Sequence, residues 1–275
     1  MVIKLNYMII SIVIFCIFLI TTISVSLYNY VVATEVEADN IEKLRLPIIM
    51  YHQVKNSNLG KDIISKEEFE SDLKYLKENN YTTITMTDAI GYVYENIELP
   101  ENPIILTIDD GYYSSYKNVF PLLKEYDMKI VLSIIGKSTD DFSKVIDERD
   151  HAHITWNQVK EMSDSGLVEI QNHTYNLHSE SKGRMGCAKK KGESLENYEK
   201  ILTEDLIKLQ EELTEIVGVT PNTFIYPYGK SSKETDEILK KIGFKATLAC
   251  GGRINYISKD KNSLFGLKRI RRGHR

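Results

Sequence analysis

The sequence predicts an α/β fold in which a parallel sheet or barrel is assembled from about seven βα units. Three observations carry this prediction. Short apolar runs of β character alternate with longer stretches of helical periodicity along most of the chain. Several of those runs stop abruptly at charged or polar groups, where α/β folds keep their chemistry. Finally, 275 residues with 42% hydrophobic content can bury one good-sized core, and no repeat or low-complexity stretch divides it.

From Met8 to Leu27 the chain is apolar and uncharged, with Lys4 before it and Glu35, Glu37 and Asp39 after it. A membrane span needs about 20 such residues, and the flanking charges put the N-terminus in the cytoplasm and the bulk of the chain outside. The run exceeds the usual signal-peptide core of about 7 to 15 residues. Residues 1–33 are therefore expected to be a single-pass transmembrane anchor in the cell membrane. A cleaved signal peptide and a secreted protein are the alternative, because Val31-Val32-Ala33 offers small residues at a cleavage site. Residues 34–45 read as a polar linker and 46–275 as the working domain.

Leu46 to His52 reads as a first buried strand. Ser65 caps a helix through Asn79, with Glu68 as its capping-box partner and Phe69, Leu73 and Leu76 at helical spacing. Thr82 to Thr85 is a short strand, and Thr87 starts the next helix. Ile104 to Ile108 is a buried strand that runs into Asp109-Asp110-Gly111, with a helix from Ser114 to Tyr126. Lys129 to Ile135 is a strand and Ser138 to Asp150 a polar loop. Thr155 caps a helix ending at Gly166, and Leu167 to Ile170 is the next strand. Residues 179–193, rich in Lys, Gly and Ser, read as a surface insertion. A long amphipathic helix follows from Leu195 to Val217, then a strand from Thr223 to Tyr226 and a helix from Lys233 to Ile242. Phe244 to Ala249 and Leu267 to Ile270 are the last strands.

The formal charge of −4, from 35 basic and 39 acidic residues, gives no case for nucleic acid as a partner. Cys16, Cys187 and Cys250 are too few for a disulfide scaffold and read as unpaired thiols, with a single Cys187–Cys250 pair as the alternative.

Two adjacent carboxylates at a strand end repel each other unless a cation offsets them. Asp109 and Asp110 therefore call for a divalent metal, unless the triplet is a turn that merely caps the next helix. His173 and His178 lie just past another strand with four residues between them, so a loop must bring them together. Two imidazoles and a carboxylate form a common open site for a catalytic metal, which makes Asp110, His173 and His178 the expected ligands. Zn fits, as do Co, Ni, Fe and Mn. Asp109 is then free to act as general base toward a water that the metal acidifies. Oxyanion stabilisation falls to the metal and to a backbone N–H such as that of Tyr228.

These residues resemble the polysaccharide deacetylases of carbohydrate esterase family four, which share the nodulation-protein-B homology domain. The resemblance spans roughly residues 46 to 272. The family motif Thr-Phe-Asp-Asp-Gly stands here as Thr107-Ile108-Asp109-Asp110-Gly111, which implies Asp109 as base and Asp110 as ligand. The second motif stands as His173-Thr174-Tyr175-Asn176-Leu177-His178. Most members place three residues between the histidines, and the wider step is similar to the branch that deacetylates poly-N-acetylglucosamine in biofilms, as is Met50-Tyr51-His52. The resemblance implies a distorted (β/α)7 barrel and removal of N-acetyl groups from N-acetylglucosamine residues of an extracellular or cell-wall polysaccharide, with His52 and Tyr228 at the substrate. Peptidoglycan, an O-acetylated polysaccharide, or a glycan-binding module without turnover are the alternatives. Two departures stand out. Many members carry an arginine just before the third-motif Pro-Tyr, where it orients the base; Phe224-Ile225-Tyr226-Pro227-Tyr228 has none, and Arg269 or Arg271 is the expected replacement. The family's late histidine, which protonates the leaving amine, has His274 as its counterpart, with His52 as another polar participant at the rim. The Lys268 to Arg275 cluster otherwise reads as a solvated tail, and His151 and His153 as ordinary loop residues.

Overall fold

The computed structural model describes residues 18–28, 30, 43–145, 149, 151–181 and 183–275. The chain divides into two units, Met1–Lys43 and Leu44–Arg275. In the first, residues 18–28 are helical and expose Phe18, Leu19, Ile20 and Ile23. Among the described residues no helix is long and apolar enough to cross a membrane. Residues 8–17 of the expected span, most of the 34–45 linker and Cys16 lie outside the described residues.

The second unit is built on eight parallel strands: β1 (Ile48–Tyr51), β2 (Thr82–Thr83), β3 (Pro103–Ile108), β4 (Ile130–Ile134), β5 (Val168–Asn172), β6 (Thr223–Ile225), β7 (Ala246–Cys250) and β8 (Leu267–Arg271). Seven close into a ring in the order β1-β8-β7-β6-β5-β4-β3, sealed by β1 against β3. The two-residue β2 pairs with the start of β3 through Thr82↔Pro103. The closed parallel barrel matches the expected architecture.

Side chains alternate across each strand. Along β3, Leu106 and Ile108 face the helices in one apolar cluster, while Ile105 joins the cluster that fills the barrel with Val131, Ile225 and Leu267. The same alternation puts Thr107 and Asp109 on the inner side, in line with Ile105. Ser133, Gln171, His173 and Arg269 share the inner phase of their own strands. Polar groups inside the barrel thus come from the pleat rather than from the loops.

The helices are α1 (Lys66–Glu78), α2 (Met86–Glu95), α3 (Phe120–Tyr126), α4 (Gly136–Ser143), α5 (Trp156–Asp164), α6 (Leu195–Glu212) and α7 (Thr235–Lys241). Ser65 and Thr155 form capping boxes with Glu68 and Gln158, as their sequence pattern requires. Three expectations about the helices need correction. Helix α2 begins at Met86 under a Thr85 capping box, not at Thr87. Residues 115–119 and 213–217 are π-helical turns joined to α3 and α6. Helix α4 occupies the first part of the segment expected to be a loop. Its weak helix formers are held from outside, by Trp156 Nε1 and Tyr175 Oη donating to the two Asp140 oxygens and by the Trp156 amide donating to Ser143.

The insertion 179–193 is also tied down. Arg184 is buried, pairs with Glu193 and donates to the Ala188 carbonyl. Gly186 adopts φ +55°, which strains any side chain, and a Cβ there would lie tightly, 3.0 Å from the Pro227 carbonyl oxygen. The C-terminus is anchored rather than a free tail. Arg272 pairs with Asp72, and the His274 and Arg275 amides donate to Gly60 and Glu68. Cys187 and Cys250 are free thiols.

Candidate active site and metal centre

At the carboxyl end of β3 the chain turns through Asp110 (φ +73°) and Gly111 (φ +71°). A Cβ on Gly111 would sit 3.2 Å from Ile134, so glycine serves both the turn and the close approach. This turn separates the two carboxylates. Asp109, 3% exposed, stays inside the barrel, while Asp110, 7% exposed, is swung toward the β5 end.

Arg269 grips Asp109 with two parallel bonds, Nη1 to Oδ1 at 2.7 Å and Nη2 to Oδ2 at 2.8 Å, and donates to Thr107 Oγ1 as well. Ser133 Oγ adds 2.9 Å to Asp109 Oδ1. Burial alone would raise the Asp109 pKa, but the Arg269 charge and its hydrogen bonds outweigh it and hold the carboxyl well below the usual carboxylate range. The charge of Arg269 is itself 1% exposed, so each ion depends on the other. Of the two arginines considered, Arg269 takes the orienting position, and Arg271 pairs with Asp62 at 3.4 Å.

Asp110 Oδ1 lies 3.4 Å from His173 Nε2 and 3.2 Å from His178 Nε2. The three form the cluster among the described residues able to hold a metal ion. His173 Nδ1 is engaged by the Ile225 carbonyl at 2.8 Å, which fixes the proton there and turns the Nε2 lone pair toward Asp110. Two ring nitrogens and a carboxylate oxygen then face one another, and Asp110 Oδ1 is buried with no hydrogen-bond partner. Such lone pairs repel unless a cation lies between them. Burial would push the His173 pKa down, but the Asp110 and Asp109 carboxylates prevail and raise it, whereas at His178 burial and the neighbouring His173 prevail and lower it. The separations are about those of neighbouring ligands at metal bonds of ~2.0–2.1 Å. The residues therefore fit a divalent cation.

Tyr228 sits at φ +58° in the Pro227–Gly229 turn at the end of β6, 43% exposed, with its ring 4.6 Å from the His178 ring. The next residue, Gly229 (φ +65°), has no space for a side chain, since a Cβ there would lie 2.8 Å from Cys250. His52, at the end of β1, places Nε2 4.0 Å from Asp109 Oδ2 and Nδ1 3.9 Å from Asp62. His274 is not brought to these groups: its Nδ1 contacts Glu68 Oε2 at 2.8 Å.

Two contributors were not legible in the sequence. Ser133 was hidden in a buried run, although its inner phase on β4 gives it away once the barrel is assumed. His153 is no ordinary loop residue, since its Nδ1 lies 2.9 Å from the Asp110 carbonyl oxygen and its ring packs, tilted, against Tyr112 at 4.7 Å between centroids. It braces the Asp-Asp-Gly turn. A separate cavity of about 790 Å³, lined by Thr82, Thr83, Lys129, Leu167 and Asn222, opens at the amino ends of the strands and shares no residue with the site.

A family model described as polysaccharide deacetylase matches residues 96–247. YxkH of Bacillus subtilis is 31% identical over 201 residues, which is 73% of this chain and 63% of that protein. A poly-beta-1,6-N-acetyl-D-glucosamine N-deacetylase of Escherichia coli is 28% identical over 218 residues, 71% of this chain and 32% of its own length. The chain thus spans less than two thirds of these two relatives. Among solved structures, a de-N-acetylase from Aggregatibacter actinomycetemcomitans superposes with a TM-score of 0.70 at 25% identity, covering 82% of this chain and 94% of that one. IcaB from Ammonifex degensii gives 0.68 at 28% identity, covering 83% and 92%.

Proposed function

We propose, because this chain belongs to the polysaccharide deacetylase family, that it is a metal-dependent hydrolase removing N-acetyl groups from N-acetylglucosamine residues of an extracytoplasmic polysaccharide, with poly-N-acetylglucosamine as the preferred polymer. The observation that carries this reading is the meeting of Asp110, His173 and His178 beside an Asp109 clamped by Arg269. The polymer is suggested by the relatives named for that substrate and by the wide step between the two histidines. The apolar run 8–27 supports delivery across the membrane.

Asp110, His173 and His178 would hold the cation, Zn by the donor set, with Co, Ni, Fe or Mn also suited. When bound, the cation supplies Lewis-acid charge that acidifies a water and stabilises negative charge on the acetyl oxygen. Asp109 is ionised and fixed in direction by Arg269 and Ser133, and takes the proton of the attacking water. The ion pair makes it a weak base, which is why it works only on an acidified water. The water oxygen adds to the acetyl carbon, the C–N bond breaks, and the sugar amine leaves with a proton. His52, across from Asp109, is the group assigned to deliver that proton. The Tyr228 amide is assigned to the developing oxyanion and its exposed ring to the sugar. His274 is assigned to anchoring the chain end.

A glycan-binding module without turnover drew its support from the missing third-motif arginine and from the open identity of the proton donor. Arg269 on Asp109 answers the first of these, since a binder has no need of a buried, oriented base, and the His52→Ala rate measurement tests the second. Acetate release from poly-N-acetylglucosamine, peptidoglycan and O-acetylated xylan tests the substrate assignment. Preference for poly-N-acetylglucosamine is expected, and faster release from either other polymer would move the assignment there.

A further inference from the structure

Between the two histidines the chain passes through Thr174, Tyr175, Asn176 and Leu177, and each of those four amides is taken by a side chain. Asn172 Oδ1 accepts from Thr174 at 2.8 Å, Asp205 Oδ1 from Tyr175 at 2.8 Å, Asp205 Oδ2 from Asn176 at 2.9 Å, and Thr174 Oγ1 from Leu177 at 3.2 Å. The Thr174 and Tyr175 carbonyls accept from the Gly136 and Lys137 amides at the start of α4. We propose that Asp205, from the middle of α6, is the positioning residue of the metal centre, its two carboxylate oxygens clamping the loop that sets His178 against His173 and Asp110. The proposal rests on the metal reading given above.

The loop needs an external tie. Thr174 adopts φ +77°, a left-handed conformation that a β-branched residue holds only when its surroundings over-determine it. The local bonds through Asn172 Oδ1 and Thr174 Oγ1 satisfy the amides of Thr174 and Leu177, and the two amides between them are left to Asp205. Asp205 caps neither end of its own helix, because it lies ten positions beyond Leu195 and seven before Glu212. Its described hydrogen bonds go to this loop alone. Burial raises its pKa to about 6 against the opposing pull of the two amides, as for a carboxylate held in place at some desolvation penalty. The carboxylate is also chemically specific. An amide side chain offers one oxygen and an NH2 group, so asparagine would satisfy one amide and turn a donor against the other. Gly136 belongs to the same arrangement, for a Cβ there would lie 2.7 Å from the Tyr175 ring.

The full chain, stripped with chelator, is titrated with Co²⁺ near neutral pH, following the d–d bands and competing with a chromophoric chelator. Wild type, Asp205→Asn, Asp205→Glu and His178→Ala are compared, with far-UV circular dichroism and thermal midpoint as fold controls. Asp205→Asn is expected to weaken Co²⁺ binding about 10- to 100-fold and shift the bands while the fold is retained, and Asp205→Glu to recover part of the loss. Affinity within about twofold of wild type and unchanged bands in Asp205→Asn would overturn the proposal. Hydrogen exchange in the unaltered protein tests the clamp without any variant. Strong protection at the Tyr175 and Asn176 amides is expected, and exchange at open-loop rates would overturn it even if Asp205→Asn does not fold. Protected amides in a wild type that binds no Co²⁺ would sink the metal reading and leave the clamp as a fact about the loop.

Discussion

Arg269 reaches Asp109 with both ends of its guanidinium, at 2.7 and 2.8 Å, although 160 positions separate the two residues. The contact lies inside the barrel and is shielded from water, so it sets both the ionisation and the direction of the carboxylate. Removing the arginine would leave a buried, unpaired charge. Arg269→Met is expected to destabilise the fold by about 3–5 kcal/mol, as breaking one side of a buried ion pair does. Chemical denaturation would measure it, and a loss near zero would show that the pair contributes nothing.

Asp109→Asn is expected to lower kcat by about 10²- to 10⁴-fold, the range for removing a general base. Metal binding stays intact, because Asp109 is not among the ligand atoms. Equilibrium dialysis beside turnover separates the two effects, and loss of metal in this variant would make Asp109 a ligand instead of a base.

The proposed mechanism gives the proton-donor role to His52, which faces Asp109, and not to His274, which meets Glu68. His52→Ala is expected to reduce kcat by about 10²-fold or more, as loss of a general acid does. His274→Ala should leave turnover within about threefold, since it meets Glu68 and not the site. The opposite ranking in parallel rate measurements would restore His274 as the proton donor.

The anchored C-terminus has a pH signature. Burial acts to raise the Glu68 pKa, but the hydrogen bonds from His274 and from the Ser65 and Arg275 amides outweigh it and bring it from 4.5 to about 2. Its stabilising contribution is therefore complete above pH 4.5 and is lost as pH falls toward 2. Thermal midpoints of wild type should drop toward those of Glu68→Gln over that interval, by a few degrees at most given solvent screening. Curves that stay parallel from neutral pH downward would remove Glu68 as the cause.

Much of the site was legible because strand ends are conspicuous in sequence. The apolar run before Asp109 and the run before His173 each mark where a parallel barrel opens its rim, and a shared rim makes one site of separate motifs. The partner of Asp109 was less accessible. Arg269 and Arg271 lie two residues apart on β8 and share a face, so only the register of β8 decides that Arg269 reaches Asp109 while Arg271 meets Asp62. His153 was missed because its contact is to the backbone of Asp110, which no spacing rule encodes. Helix α4 is hidden in the sequence because Ser138, Thr139 and Asp140 are weak helix formers, and the bonds that hold it come from Trp156 and Tyr175 further along the chain.

Acetate release from poly-N-acetylglucosamine by the chelator-stripped chain, reloaded with one metal at a time and run beside Asp109→Asn, tests the central claim most directly. Release should be absent after stripping, return with Zn or another of the suited divalent cations, and stay near background in Asp109→Asn. Release that survives complete metal removal, or that Asp109→Asn retains at the wild-type rate, would contradict the account.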